Sequence, residues 1–448
     1  MEPLILLPTL VCTVALCRWS PETAFLRVCL PVLLLFPMYF YWKIEGFPGV
    51  DFGIAVLMPL SVALLGLAFS RWRFSRSDLW ITLYIVSCTY ADYRYGGMSL
   101  AKYRFFDAVF TALVPYAAGK LLIEQSGERW NTVKTTVVLL ALSCLGSIPE
   151  FFIKVNLFER VGLHLFPGQW PGWFTQLRWG FGRVAGPLGS AELYGTMLII
   201  GICLVLYIQR RVATGYSFCL GGLSSKVTVR LVLGILLLTL YMTQSRGPWL
   251  GALVAVMIAQ VGRAKRVKRA AFFTFAALFI IILPGYVALQ HYASGPRTAY
   301  GSERETAQYR REMIENYLPL AKQGGLWGWG TFHPVLEGQV SIDNEFLRVC
   351  ISQGYAGLGA FILLILESGF VLLRLGLSSR IDEDRHFAFT MLGILAGWVF
   401  TLNTVFMGGQ NYELFFLMAG WVEAIGLSEF SARVSQSKNA LRLQRVYT

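Results

Sequence analysis

Thirteen apolar runs, most of them roughly 16–20 residues long and parted by short polar loops, constrain this chain more than any other feature. They fall at about 3–17, 23–42, 53–69, 79–93, 104–122, 133–149, 191–208, 228–243, 247–262, 270–290, 356–375, 387–405 and 412–428. A helix of that length crosses a hydrocarbon core of about 30 Å. Inside lipid the backbone must satisfy its own hydrogen bonds, so only helices or a closed barrel can span. The short alternating segments of a barrel are missing. The expected fold is therefore an all-α integral membrane protein, a polytopic helical bundle of about 12–13 spans, with residues 1–448 forming a single transmembrane domain. Only 15% of residues are charged, against about 25% in a typical soluble chain. Met1–Cys17 lacks a basic start and opens on Glu2 and Pro3, so it does not read as a cleavable signal.

The net charge of +13 could suggest a nucleic-acid partner. The basic residues sit instead in short loops between apolar runs, which is the positive-inside pattern and makes the bilayer the partner. Arg263, Lys265, Arg266, Lys268 and Arg269 form the strongest cluster. Arg71, Arg73, Arg76, Arg210, Arg211 and the tail residues Arg433, Lys438, Arg442 and Arg445 fall on the same, cytoplasmic side if the spans alternate. Residues 150–190, the turn at 244–247 and the stretch 291–345 are left on the outer side. The first carries Phe166, Trp170, Trp173, Phe174, Trp179 and Phe181, aromatics that suit a segment lying along the membrane surface. The last is the longest non-membrane segment, a loop with helices of its own, and long ordered loops tend to be functional.

Four constellations in these outer segments carry possible chemistry. Thr243-Gln244-Ser245-Arg246-Gly247 places Arg246 between two runs, where it either snorkels to water or serves a ligand. Ser302-x-x-Glu305 reads as a capping box opening a helix. On that helix Met313, Ile314, Tyr317, Leu318 and Leu320 share a face with Arg310 near its centre, while Arg311 sits one turn before Glu315. Arg310 so placed either closes a buried salt bridge or meets an anionic ligand. In Ser341-Ile342-Asp343-Asn344-Glu345, Asp343 or Glu345 either acts as a base or caps the following helix. Arg183-Val-Ala-Gly186-Pro187-Leu-Gly189-Ser190-Ala-Glu192 forms a tight mouth to a span, and Glu192 there pairs with an arginine or activates a hydroxyl.

His164, His291, His333 and His386 are dispersed, and the eight cysteines are scattered without a C-x-x-C. No metal site is expected from them. Gly324–Gly330 is glycine-rich, but no strand precedes it and no Lys-Ser/Thr follows, so it reads as a helix stop and turn. No cofactor motif is present.

Taken in order, these segments resemble the O-antigen ligase / O-antigen polymerase (Wzy) superfamily of bacterial membrane glycosyltransferases, from about residue 180 to 430. The resemblance rests on the span mouth Gly186–Gly195, the turn Ser245-Arg246 and the loop helix with Arg310. It continues through the Gly/Trp turn Gly324–Gly330, the Asp343-Asn344-x-x-Leu347 stretch and Gly354-x-x-Gly357. It implies a GT-C-like fold in the bacterial inner membrane with its active site facing the periplasm. It also implies an undecaprenyl-diphosphate-linked glycan as donor, a glycan or lipid as acceptor, and displacement at an anomeric carbon without a metal. Arg246 and Arg310 would then meet the diphosphate, and Asp343 would orient or deprotonate the acceptor hydroxyl, with Glu192 as substitute. Arg183, Ser245, Asn344 and Arg311 would bind substrate. The ligases proper carry a histidine where this chain has Asp343; the Asp-Asn form is similar to members associated with exopolysaccharide polymerisation. The competing class is a transporter or flippase of lipid-linked glycans. It would call for mid-span charges, of which Asp107 is an exceptional instance, and for an internal repeat that is not visible.

Overall fold

The computed structural model describes residues 2–43, 45–169, 175–295, 303–339 and 341–446. The chain is a multi-pass helical membrane protein: among the described residues eight helices are long and apolar enough to cross a bilayer. The N-terminal runs fold as shorter pieces, α1 (Leu7–Arg18), α2 (Pro21–Ala24) and α3 (Leu30–Leu35), ahead of α4 (Phe52–Arg71). The run read to residue 42 stops being helical at Leu35, and Tyr41–Trp42 pairs with Val50–Asp51 in a small antiparallel ribbon. α5 (Arg76–Ala108) and α6 (Val114–Leu122) are continuous through a π-helical turn, yet they hold two of the predicted runs. Gly97, at φ +60°, breaks the stretch. A straight helix would put residues 78 and 120 about 63 Å apart, but Lys120 Nζ donates to Asp78 Oδ1 at 2.7 Å. The chain therefore reverses, as the two separate runs require.

The rest of the bundle comprises α7 (Arg129–Ile153), the short α8 (Leu157–Leu165), α9 (Ala191–Ala213), α10 (Ser225–Met242) and the shorter apolar α11 (Arg246–Val261). It continues through α12 (Val267–Tyr292), the loop helix α13 (Glu303–Gly324), α14 (Glu345–Ser378), α15 (Asp382–Leu402) and α16 (Asn411–Val446). Small residues let helices pack closely. Gly251 and Gly397 face each other across α11 and α15, where an added Cβ at Gly397 would lie 2.6 Å from the Gly251 carbonyl oxygen.

Ion pairs gather the basic loops at one end. Arg71 donates to Glu22 and Ser126 at 2.9 and 3.2 Å, Arg129 bonds Glu124 and reaches Asp384 at 2.6 Å, and Arg211 pairs with Glu383. Arg263 donates to the Leu206 carbonyl at 2.5 Å. The opposite end holds the segments set aside as outer. There Phe166 is 3% exposed and packs on Phe40, 5.5 Å between ring centroids, so it belongs to the core rather than to a surface belt. Trp179 and Phe181 are exposed. Trp170, Trp173 and Phe174 lie outside the described residues.

The stretch after α13 is tied down by backbone bonds. α14 breaks at Gly354, φ +68°, which frees polar groups for the Gly325–Trp329 turn. Tyr355 and Ala356 donate their N–H groups to the Gly325 and Leu326 carbonyls at 3.1 and 2.9 Å, and Trp329 N–H donates to Ile351 at 2.8 Å. Gly325, Gly328 and Gly330 all have positive φ, as the helix-stop reading of this turn expects. Next to it, Asp92 accepts from Thr331 N–H at 2.5 Å and from its hydroxyl at 2.7 Å. Asp92→Ala is expected to weaken this attachment by about 2 kcal/mol, the worth of hydrogen bonds to a buried charge. Hydrogen exchange should then accelerate at residues 325–332 and leave α9 unchanged.

Candidate active site

The sequence-predicted residues gather in two groups at the end of the bundle opposite the basic loops. The first is built on Arg183, whose side chain is only 6% exposed. Glu150, near the end of α7, accepts the N–H groups of Ala185 and Gly186 at 3.0 and 3.1 Å and so shapes the turn leading to α9. Gly186 has φ +54°, and a Cβ there would lie 2.8 Å from Ser147 Oγ, so glycine is required by both conformation and space. The turn aims the Arg183 guanidinium at four partners: Gln176, Glu192, Ser245 Oγ at 2.7 Å and the Thr243 carbonyl at 3.3 Å. Ser190 Oγ donates to the other Glu192 oxygen at 3.1 Å. Arg183, Glu192 and Ser245 are thus brought together, and Glu192 takes the arginine-pairing option.

Arg246 follows Ser245 as the first residue of α11 and is exposed. The turn before it is strained: Gln244 has φ +51°, a conformation that costs a non-glycine residue about 1 kcal/mol or more. Reciprocal bonds hold it, Arg178 Nη1 donating to the Gln244 carbonyl at 2.6 Å and Gln244 Nε2 to the Arg178 carbonyl at 3.0 Å. Sequence reasoning missed Arg178 and Glu150. The signal for Arg178 was the one used for Arg246, a basic residue on the side the positive-inside rule leaves poor in them. Glu150 sat at the end of an apolar run without a comparable cue.

The second group hangs on α13. Ser302, the expected capping residue, lies outside the described residues. The buried face of α13 is Met313, Tyr317 and Ala321, packed on Ile342, Leu347, Cys350 and Ile351. This corrects the expected stripe, since Ile314 and Leu318 are 38% and 44% exposed. Residues 313, 317 and 321 repeat every four positions, a narrower strip than the full apolar face, and they meet the first turns of α14 together with Ile342 of the extended segment before it. Two tyrosines tie that segment down. Tyr309 OH accepts the Ser341 N–H at 3.2 Å and donates to its carbonyl at 2.7 Å, while Tyr317 OH accepts Leu336 N–H at 3.2 Å.

This attachment brings Asp343 within electrostatic reach of Arg310. Ser341 Oγ donates to Asp343 Oδ1 at 2.7 Å, and the Asp343 N–H points at the Met313 sulfur at 3.1 Å. Loss of solvation pushes the Asp343 carboxyl above the usual aspartate range; the Ser341 bond and the Arg310 charge pull it down, and the Glu192 charge adds to the rise. Asp343 is thus within electrostatic reach of both groups. Arg310 is half-buried, and among the described residues its Nε has no hydrogen-bond partner. Arg311 pairs with Glu315 at 2.8 Å and stays 37% exposed, as the spacing predicted.

The cap falls to Asn344, whose Oδ1 accepts Leu347 N–H and whose Nδ2 donates to the Asn403 carbonyl, both at 3.0 Å. Asp343 is therefore spared for another use. Glu345 is fully buried and fully committed: Arg348 gives it two bonds at 2.9 Å, Met407 N–H one at 2.7 Å and Tyr412 OH one at 2.9 Å. Such a carboxylate organises structure and has no lone pair to spare for a substrate proton. Among the described residues no group of three or more His, Cys, Asp or Glu side chains is placed to hold a metal ion. The groups suited to a leaving anion here are guanidinium ions, which present forked donors to phosphate oxygens.

Residues 231–362 match the family model described as O-antigen ligase. The match supports membership of the O-antigen ligase/polymerase family. It takes in Ser245, Arg246, Arg310, Arg311, Asp343 and Asn344 but stops short of Arg183 and Glu192. No curated protein matches the chain.

Proposed function

We propose that this chain transfers or polymerises an oligosaccharide carried on undecaprenyl diphosphate, at the periplasmic face of the bacterial inner membrane. The observation that carries the reading is Asp343, bonded by Ser341 and within electrostatic reach of both Arg310 and Glu192, at the end of the bundle opposite the basic loops. The acceptor hydroxyl attacks the anomeric carbon and its proton passes to Asp343. The bond from that carbon to the diphosphate breaks, and its electron pair leaves with the diphosphate. Arg246 and Arg310 meet the developing charge, with Arg311 at the rim. Arg183 acts through Glu192 and Ser245, which it positions, and Asn344 holds the start of α14 in register.

The test is an assay of purified protein in nanodiscs with an undecaprenyl-diphosphate oligosaccharide and EDTA throughout. Release of undecaprenyl diphosphate with glycan extension, lost in Arg246→Ala and Arg310→Ala, is the expected result. Longer lipid-linked chains identify a polymerase; glycan on another molecule identifies a ligase. Intact donor in every sample, with the native sugar and several acceptors supplied, would move the assignment to a transporter.

The raised Asp343 carboxyl adds a pH prediction. The carboxylate is the form that accepts a proton, so kcat/KM should fall on acidification through a midpoint above the ordinary aspartate range. Asp343→Asn should abolish that acid limb along with most of the activity. An unchanged limb in the variant would remove Asp343 from the role.

A further inference from the structure

Aromatic side chains join α5 to the turn after α13, at the end of the bundle opposite the basic loops. Tyr90, Tyr93 and Tyr95 stand just before the Gly97 break and are 41%, 47% and 44% exposed. Tyr90 and Tyr93, one helical turn apart, stack with 6.2 Å between ring centres. Tyr90 and Trp327 meet edge to face at 4.8 Å. Tyr95 lies nearly parallel to Trp329, with 21° between their planes and 5.9 Å between their centres. The turn that carries both tryptophans is pressed onto α5: a Cβ at Gly330 would lie 2.3 Å from Asp92 Oδ1 and 3.1 Å from the Ala91 backbone. Trp329 Nε1 donates to the Leu320 carbonyl at 2.8 Å. The rings are therefore held relative to one another by backbone on both sides. Their polar ends are mostly unspent, since the hydroxyls of Tyr90, Tyr93 and Tyr95 and Nε1 of Trp327 bond no described residue. Arg94 is exposed, lies 5.7 Å over the Tyr95 ring and likewise bonds no described residue. The positive-inside rule gives no reason for a cation at this end.

We infer that these rings form a platform for the sugar rings of the glycan, at units remote from the reacting carbon. The inference rests on the transferase reading. One face of a pyranose presents C–H groups that pack on the electron-rich face of an aromatic ring, and its hydroxyls exchange hydrogen bonds with phenol, indole and guanidinium groups at the rim. A bilayer interface also takes tyrosine and tryptophan. Anchoring there works ring by ring, whereas these rings are packed on one another across two elements. The platform is also continuous with the candidate site. Trp329 packs on the cluster of Met313, Ile342 and Leu347 that fastens α13 to the segment carrying Asp343. A glycan lying on the rings is thus led toward that segment.

The test uses the full chain in nanodiscs and the free oligosaccharide released by mild acid from the lipid-linked glycan of the cells that make this protein. Binding is followed by saturation-transfer NMR, and KM is measured in the transfer assay. Tyr93→Ala and Trp327→Ala should each bind the sugar about tenfold more weakly, the effect of losing one aromatic face. Both should raise KM rather than lower kcat. Trp327→Phe should restore most of the affinity, because it keeps a ring to stack on. Tyr93 is nearly half exposed, so its removal should leave the melting temperature unchanged and separates binding from folding. Wild-type affinity in both alanine variants, or no sugar binding by wild type, overturns the platform. Unchanged sugar binding, with tryptophan quenching by brominated phospholipid that is lost in Trp327→Phe, makes the rings membrane anchors instead. Sugar binding that the variants lose, without any transfer by wild type, leaves the platform standing and removes the transferase reading. Transfer by wild type with unchanged KM in the variants does the reverse.

Discussion

Arg310→Ala should lower the rate of glycan transfer by about 100–1000-fold, the usual effect of removing one preorganised electrostatic stabiliser. The residue is half-buried, its Nε lacks a partner among the described residues, and its charge acts directly on Asp343. A guanidinium in that state has bonding capacity to spare for an anion and little structural work to lose. Melting temperature should therefore move little, and kcat should fall far more than KM rises. Arg310→Lys should recover only part of the rate, because a lysine offers a point charge in place of a planar fork. A variant that loses stability and activity together would instead make Arg310 a structural ion.

Arg183→Ala should show the opposite balance, a stability loss of about 3 kcal/mol accompanied by loss of activity. Here the guanidinium is 6% exposed and its donors are already spent on Gln176, Glu192, Ser245 and Thr243. Removing it strands the Glu192 carboxylate and frees the strained Ser245 turn. The double variant Arg183→Met/Glu192→Gln removes both charges and should regain much of the melting temperature, since the penalty comes mainly from the unpaired partner. It should not regain activity. Recovery of transfer in the double variant would deny the pair any part in positioning the site.

The two arginines carry the same charge and lie in loops on the same side, so spacing alone could not separate them. Arg183 looked open for a donor phosphate until the fold filled its valences. Asp343 and Asn344 were equally good caps on sequence grounds. The backbone at the start of α14 chose Asn344, and Ser341 and Tyr309 hold Asp343 within electrostatic reach of Arg310. Glu345 looked like a second candidate base and proved to be a buried junction of four hydrogen bonds. Asp107 looked like an isolated mid-span charge, yet it pairs with Arg104 one helical turn before it, a spacing the sequence already carried.

The amino-acid sequence by itself determined the helical membrane fold, the sorting of basic loops to one end, the helix stop at Gly324–Gly330 and the family resemblance. Each of these is local: run length, loop charge and glycine content act within a few residues and need no partner. Which polar groups are spent on the protein and which are left for a substrate was decided only by the tertiary structure. That allocation is completed by contacts between residues far apart in the chain, such as Arg183 with Thr243 and Met407 with Glu345, whose bonds exist only once the spans have packed.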